Sequence, residues 1–483
     1  MKLSELVAHI PGNLPAALAG CEVSGMTSDS RKVKPGDVFV CIAGTAADGH
    51  DYAASALEKG ALAVVCERDL GLSCQILVPD THAAYSRMAA NWYGNPSRRL
   101  RLIGVTGTKG KSTVSYLIKQ ILVAAGKKVG LIGTIQNEIG DKILPADKTT
   151  PDALELEALF AEMVKAGCEY CVMEVSSHAL DQNRIGDAHY EAAVFTNLSH
   201  EHLDYHGTME AYYQAKKKLF AVCDTAVVNM DDSWGQRLAG EISCPVLGFS
   251  MEGKGELNAF EVSHHVDAVD FRYAYRGVES RIHFGMPGNF SVKNALAAMG
   301  ACLALGVCLN TIAGTLSVVA GARGRNEILP TGMDFTVISD YAHSPDAMEN
   351  ILSALKETVK GRLVALFGCG GDRDRTKRPL MGEAAAKWAD YVYVTSDNPR
   401  TEDPEAIIAE ILPGVEGHGT PYEVIVNRRE AIFRAIDTAL PGDTIVLCGK
   451  GHEDYQIIGH EKFHFDEREI VAEAVAARKA KEA

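Results

Sequence analysis

The sequence predicts an α/β protein of three domains, on three observations. Short apolar runs rich in Val, Ile and Leu recur along the chain with helix-length stretches between them, the pattern of parallel strands buried on both faces. At 483 residues the chain is too long for one core of ordinary size. Its glycine-rich and polar clusters fall just after the strand-like runs, where open α/β sheets place their ligands. A hydrophobic content of 47% with 23% charged residues excludes disordered, collagenous and coiled-coil chains.

Residues 1–98 carry apolar runs at 38–42, 63–66 and 75–78 and close on the breakers Tyr93-Gly94-Asn95-Pro96-Ser97-Arg98. They predict a small α/β domain and a linker. Residues 99–330 alternate strands at 102–105, 129–132, 170–175 and 193–197 with helices beginning at Ser112 and after Pro151, which predicts a mostly parallel sheet of the P-loop ATPase type. Residues 331–483 repeat the pattern at 335–338, 363–367, 391–395, 423–426 and 444–448, a Rossmann-like sheet. The apolar stretch 295–309 is shorter than the roughly 18 residues of a transmembrane helix and holds two glycines, so it predicts a buried core helix. The Lys/Ala/Glu-rich residues after Ile470 predict a solvated terminal helix.

Lys+Arg 48 against Asp+Glu 63 gives a net charge of -15, which disfavours nucleic acid and anionic membranes as partners. An anionic ligand must then meet a local basic pocket. The start Met1-Lys2-Leu3-Ser4-Glu5-Leu6 has no apolar signal core, so a cytoplasmic protein without membrane insertion is expected. Twelve cysteines lie scattered, many in apolar runs, as reduced core thiols do. Cys168 and Cys171 form a C-x-x-C, read as packing in preference to redox chemistry.

The strongest motif is Gly104-Val105-Thr106-Gly107-Thr108-Lys109-Gly110-Lys111-Ser112-Thr113, between a strand and a helix. Its glycines let backbone amides approach phosphate, the helix N-terminus favours negative charge, Lys111 reaches the β/γ-phosphates and Ser112 can ligate Mg²⁺. Strict Walker spacing would need glycine where Val105 stands, and a bland glycine-rich turn is the alternative. Two metal-ligand candidates follow later strands: Glu174, and His202 within Ser199-His200-Glu201-His202-Leu203-Asp204-Tyr205-His206. Three histidines in seven residues also suggest zinc, but no paired cysteine or H-E-x-x-H spacing closes such a site. Lys216-Lys217-Lys218 reads on composition alone as a solvated helix face. In the third segment Gly368-Cys369-Gly370-Gly371-Asp372-Arg373, Asp397-Asn398-Pro399-Arg400 and Gly449-Lys450-Gly451-His452-Glu453 each follow a strand and together mark a pocket.

The phosphate loop, Glu-Val-Ser-Ser-His at 174–178, His-Leu-Asp-Tyr-His-Gly at 202–207, Asp340-Tyr341-Ala342-His343, Asp397-Asn398-Pro399-Arg400 and Lys450-Gly451-His452-Glu453 resemble the Mur ligases of peptidoglycan synthesis. The likeness covers nearly the whole chain, including Thr27-Ser28-Asp29-Ser30-Arg31. It implies an N-terminal UDP-substrate domain, a central ATP-binding domain and a C-terminal amino-acid-binding domain. By position, it places Ser30 at the UDP end of UDP-N-acetylmuramoyl-L-alanyl-D-glutamate and Thr149, Thr150, Ser176, Gln182 and Arg184 along that substrate. Gly107, Thr108, Lys109, Gly110, Lys111, Ser112 and Thr113, with Asn294, Arg325, Asp340 and His343, serve ATP. Ser112, Glu174, His202 and a carbamylated Lys216 hold Mg²⁺. Arg373, Asp397, Asn398, Pro399, Arg400, Gly449 and Glu453 form the pocket for the acceptor, meso-diaminopimelate.

The sequence departs from the family where Lys109 and Lys148 replace Asn, Ser112 replaces Thr, Glu201 replaces Asp and Asn326 replaces Met or Phe, and Thr45 stands in the first-domain loop. The resemblance implies an ATP-dependent carboxylate-amine ligase, monomeric, with Lys111, Glu174, His202 and Lys216 as its catalytic groups. Rival readings are the same ligation with L-lysine, a ligase like folylpolyglutamate synthetase, and a nucleotide-gated binding ATPase.

Overall fold

The computed structural model describes residues 1–44 and 47–482, so Thr45 lies outside the described residues. Contacts divide the chain into two compact units: Met1–Lys111, Leu122–Gly248 and Gly300–Val307 make one, and Ser112–Ile121, Phe249–Met299 and Cys308–Ala483 the other.

The first unit opens with strands β1 (Gly25–Thr27), β2 (Asp37–Val40), β3 (Ala63–Cys66) and β4 (Gln75–Leu77), all parallel and in that spatial order. The β2 and β3 runs are buried at every residue, as a two-sided parallel sheet requires. Helix Thr81–Trp92, N-capped by the Asp80 carboxylate, packs Ala84, Met88 and Ala89 on this sheet.

The same unit continues with β5 (Arg101–Thr106), β6 (Val129–Ile132), β7 (Asn137–Ile139), β8 (Lys142–Leu144), β9 (Tyr170–Glu174), β10 (Tyr190–Phe195), β11 (Cys223–Asn229) and β12 (Val246–Ser250). Their order is β12-β11-β10-β5-β9-β6-β7-β8; the run from β11 to β6 is parallel, and the β7–β8 hairpin is added antiparallel. β5 therefore lies between β9 and β10, with Val105 opposite Glu174 and Thr106 opposite Phe195. That register sets the phosphate loop, Glu174 and the loop after β10 side by side at the strand carboxyl ends. β10 begins at Tyr190, three residues before the expected 193, because Tyr190 is drawn into the core opposite Leu102.

The second unit holds an antiparallel meander of β13 (Leu257–His264), β14 (Val269–Tyr275) and β15 (Val278–Phe284) that the search for βα alternation did not anticipate. Beyond it, β16 (Glu327–Leu329), β17 (Thr336–Asp340), β18 (Leu363–Phe367), β19 (Tyr391–Val394), β20 (Tyr422–Val424) and β21 (Thr444–Cys448) form a sheet of order β16-β17-β21-β18-β19-β20. All are parallel except β16. A hairpin of β22 (Tyr455–Ile458) and β23 (Glu461–His464) follows.

The apolar stretch 295–309 is not one helix. Helix Asn289–Ala304 stops before Gly306, which turns the chain at φ +80°, and helix Leu309–Leu316 starts anew. All twelve cysteines are free, Cys168 and Cys171 both buried, as the packing reading expects.

Behind β21 the second unit buries a complete ion pair. Arg428 and Glu467 meet at 2.7 Å with neither side chain exposed; Arg428 also donates to the Cys448 carbonyl, and Glu467 accepts from the Ser339 hydroxyl. Removing one partner of such a pair strands the other charge, so Glu467→Ala should lower the unfolding free energy by about 3 to 5 kcal/mol in urea denaturation. The apolar pair Arg428→Met with Glu467→Leu should be far less damaging. A Glu467→Ala midpoint equal to that of the unaltered chain would refute this.

Candidate active site

Helix Lys111–Ala124 begins directly behind the phosphate loop. Gly107 holds φ +143° and Gly110 φ +87°, and a Cβ on Gly107 would stand 1.9 Å from Thr196 Oγ1, so this turn accepts only glycine there. The loop is clamped to the segment after β10. The Lys109 amide donates to Asn197 Oδ1, Thr196 Oγ1 and Asn197 Nδ2 donate to the Lys109 carbonyl, and the Ser199 amide donates to Thr108 Oγ1. Lys111 Nζ donates to the carbonyls of Gly107 and Thr108.

Two charged residues that the resemblance singles out, Lys109 and Glu201, meet here. The Lys109 ammonium pairs with Glu201 at 2.9 Å. Burial pushes the Glu201 carboxyl up, but Lys109 and Lys111 outweigh it and leave it below the ordinary carboxylate range. The positive charge added by Lys109 is thus answered by Glu201.

Lys216 sits in the last turn of helix Met209–Lys217, 1% exposed, donating to the Gly107 carbonyl at 2.9 Å. Burial, reinforced by Lys111, drives its ammonium well below the usual lysine range. Lys217 and Lys218 instead pair outward with Glu241 and Asp181. The solvated-face reading of the lysine run therefore holds for two of its members and fails for Lys216.

Glu174 ends β9 with 2% exposure; its two oxygens accept from the amide and hydroxyl of Thr134. Thr134, Asp147, Lys148, Thr149, Thr150, Ser176, His178, Arg184 and His202 line one cavity of about 370 Å³. Four of the residues expected along the UDP substrate are thus together, and the fifth, Gln182, accepts from the Arg184 guanidinium. Thr150 Oγ1 accepts from the Ser176 amide, and Arg184 donates to the Thr150 carbonyl. Ser30 is not on this wall; its carbonyl accepts from Lys59. His202 takes the left-handed conformation at φ +58°. Its imidazole and that of His178, ring centroids 5.0 Å apart, are both lowered by desolvation, and so favour their neutral forms.

The second unit carries the remaining expected residues. Arg325 donates to Ser112 Oγ at 3.5 Å and stacks on Tyr341. Asp340, at the end of β17, accepts from the Asn326 amide. Asn326 is buried at φ +49°, a conformation that Asn tolerates better than most side chains. The His343 imidazole contacts the Tyr341 carbonyl and ring. Asn294 lies half-buried on helix Asn289–Ala304.

Three loops beyond β18, β19 and β21 close on one another. A Cβ on Gly371 would lie 1.9 Å from the Pro399 carbonyl, so the first two touch backbone to backbone. Arg400, at φ +51°, donates to the Gly371 carbonyl. Asn398 is the junction: Nδ2 donates to Glu453, and Oδ1 accepts from Lys450 Nζ and the Ile457 amide. Gly449, at φ +112°, leaves room for Asp397 Oδ2, which a Cβ would approach to 2.7 Å. Burial, with Asp397 adding to it, raises the Glu453 carboxyl above its ordinary range. Arg373 stands exposed, donating to the Asp372 carbonyl.

Sequence reasoning passed over Thr134, His178 and Lys450. Each had a signal: Thr134 follows β6 as Glu174 ends β9, and the other two lie inside quoted motifs. Among the described residues no three His, Cys, Asp or Glu side chains converge as a ready metal shell.

Comparison with known proteins adds three family matches: "Mur ligase family, catalytic domain" at residues 22–96, "Mur ligase middle domain" at 105–302 and "Mur ligase, glutamate ligase domain" at 324–451. A Clostridium botulinum protein named UDP-N-acetylmuramoyl-L-alanyl-D-glutamate--2,6-diaminopimelate ligase is 45% identical over 94% of this chain and 95% of its own. One of the same name from Syntrophomonas wolfei is 44% identical over 99% of this chain and 100% of its own. A solved structure of a ligase with that name superposes with a TM-score of 0.73 at 34% identity, covering 99% of both chains.

The differing environments of the three lysines are open to a chemical check. Brief acetylation of the folded protein, read by peptide mass spectrometry, should modify Lys217 and Lys218 and spare Lys216, with all three modified in urea. Acetylation of Lys216 as fast as its neighbours in the folded protein would contradict its burial.

Proposed function

The chain belongs to the Mur ligase family, and we propose that it is the ligase that adds diaminopimelate, as the meso isomer, to UDP-N-acetylmuramoyl-L-alanyl-D-glutamate with cleavage of ATP to ADP and phosphate. The observation that carries this reading is the near-full-length likeness to ligases of that name. The reaction suits the architecture. An oxygen of the D-glutamyl side-chain carboxylate attacks the γ-phosphorus of ATP, the bond to the β–γ bridging oxygen breaks, and ADP leaves an acyl phosphate. The acceptor amine then attacks the acyl carbon, loses a proton, and the tetrahedral intermediate expels phosphate. Such chemistry calls for positioning and charge neutralisation and for no nucleophilic side chain.

In this reading residues 1–98, 99–330 and 331–483 are the UDP-substrate, ATP and amino-acid domains. The phosphate loop from Gly107 to Thr113 cradles the triphosphate, with Lys111 on its distal phosphates and Asn294, Arg325, Asp340 and His343 serving the nucleotide. Thr149, Thr150, Ser176, Gln182 and Arg184 hold the UDP-linked dipeptide, and Ser30 its uridine end. Arg373, Asp397, Asn398, Pro399, Arg400, Gly449 and Glu453 receive the acceptor. Two of the substrates are water-soluble nucleotides and the third is an amino acid, which suits a cytoplasmic enzyme of peptidoglycan precursor synthesis; we take it to act as a monomer.

Magnesium fits the donors present: the Ser112 hydroxyl, the Glu174 carboxylate, the neutral His202 imidazole and, once carbamylated, Lys216. Mg²⁺ is held through one or two carboxylates plus substrate phosphates, so the lack of a ready protein cage is no obstacle. When bound it supplies neutralisation of the phosphate charge. Lysine adds to CO₂ only as the free amine, whose nitrogen bonds the carbon and gives up a proton. Burial and Lys111 favour that form at Lys216.

Phosphate release tests the reading. With ATP and the UDP-linked dipeptide, release should depend on diaminopimelate and respond weakly to L-lysine; release indifferent to any amino acid would point to an ATPase instead. By the family resemblance Arg400 reads the acceptor's distal carboxylate, so Arg400→Ala should weaken selectivity for diaminopimelate over L-lysine by about 2 to 5 kcal/mol in competition assays. Undiminished selectivity would remove Arg400 from the pocket.

Lys216→Ala should lose turnover by orders of magnitude and regain part of it with a short-chain carboxylic acid, which restores an anion to the cavity left behind. Normal activity of the unrescued variant would exclude the carbamate.

A further inference from the structure

The acceptor loops enclose a cation that the proposed chemistry does not use. Lys450 has no exposed side-chain surface. Its ammonium donates to Asn398 Oδ1 at 3.0 Å and the Tyr455 carbonyl at 2.7 Å, and lies 3.4 Å from Asp397 and 3.5 Å from Glu453. The same ammonium lies 5.5 Å from the centroid of the Phe465 ring. Two carboxylates against one ammonium leave a residual negative charge. Asp397 Oδ1 is buried without a hydrogen bond; the Lys450 ammonium stands 3.4 Å from this same oxygen, an ion-pair contact that leaves it room to accept from a further donor.

We infer that Lys450 is a positioning residue for the amino-acid acceptor, fixing Asp397, Asn398 and Glu453 so that Asp397 Oδ1 is presented to an ammonium group of that acceptor. This rests on the proposed acceptor pocket. The Lys450 ammonium is already spent on Asn398, the Tyr455 carbonyl and the two flanking carboxylates, so it acts through Asp397, Asn398 and Glu453. The Asn398 amide shows how: Lys450 and the Ile457 amide fix its oxygen, which directs its nitrogen at Glu453. Removing the ammonium does not simply make the pocket more attractive to a cation. Two buried carboxylates left together cannot both stay ionised, so one takes a proton and the net charge changes little. What is lost is the placement of the carboxylates, and acceptor affinity falls.

The test compares Lys450→Met with the unaltered full-length chain in steady-state kinetics, varying diaminopimelate, ATP and the UDP-linked dipeptide in turn. The expected result is a KM for diaminopimelate raised by about 30-fold, with the other two KM values within about twofold and kcat at saturating acceptor within about threefold. In Lys450→Ala, added propylammonium should restore part of the acceptor affinity. An unchanged or lowered acceptor KM, or a parallel rise of all three KM values, overturns the inference.

Should neither variant fold, a crystal structure of the unaltered protein with diaminopimelate decides. An acceptor nitrogen on Asp397 Oδ1, with Lys450 still on Asn398, supports the inference. Diaminopimelate in these loops without that contact overturns it alone, and diaminopimelate bound elsewhere overturns the pocket reading with it.

Discussion

The carbonyl of Gly107 is the point on which the first unit's site depends. It accepts from two lysines, Lys111 of the phosphate loop and Lys216 of a helix distant in sequence. The turn that presents it admits no side chain, since Thr196 occupies the space a Cβ would take. Two ammonium groups sharing one carbonyl oxygen in a buried setting repel each other. Burial first, and this repulsion after it, make Lys216 give up its charge more readily than an exposed lysine would. A phosphate loop built this way prepares a chemically distinct amine beside the proposed seat of a nucleotide's phosphates.

The second unit solves a related problem with opposite signs. Asp397 and Glu453 are brought together by loops that touch through glycine backbone, and Lys450 is buried between them. Behind β21, Arg428 and Glu467 form a further buried pair. Buried charges are tolerated only when partnered and hydrogen-bonded. The loops that carry them are correspondingly constrained, which holds a polar pocket to one shape.

The fold class was legible because burial on both faces leaves a plain mark: runs such as Ala63–Cys66, Val129–Ile132, Leu363–Phe367 and Thr444–Cys448 stand where the apolar pattern puts them. The meander from Leu257 to Phe284 was not, since only about a third of its strand residues are buried and its runs are broken by charge. The break at Gly306 was hidden by apolar residues on either side. Motifs flagged the loops, and the register of β9, β5 and β10 explains why residues about 70 to 100 positions apart share one edge. The sequence could not tell Lys216 from Lys217 and Lys218 by composition, because burial depends on which face of a short helix meets the phosphate loop. Nor could it show that Lys109 and Glu201, two separate departures from the family pattern, answer each other.

The central claim is that a substrate carboxylate, and not water, receives the phosphoryl group of ATP. Transfer of oxygen measures this directly. With the D-glutamyl side-chain carboxylate of the UDP-linked dipeptide labelled with heavy oxygen, each turnover with diaminopimelate should deliver one labelled oxygen to the inorganic phosphate released. Unlabelled phosphate from a turning-over enzyme would mean that water attacks ATP, and would contradict the account.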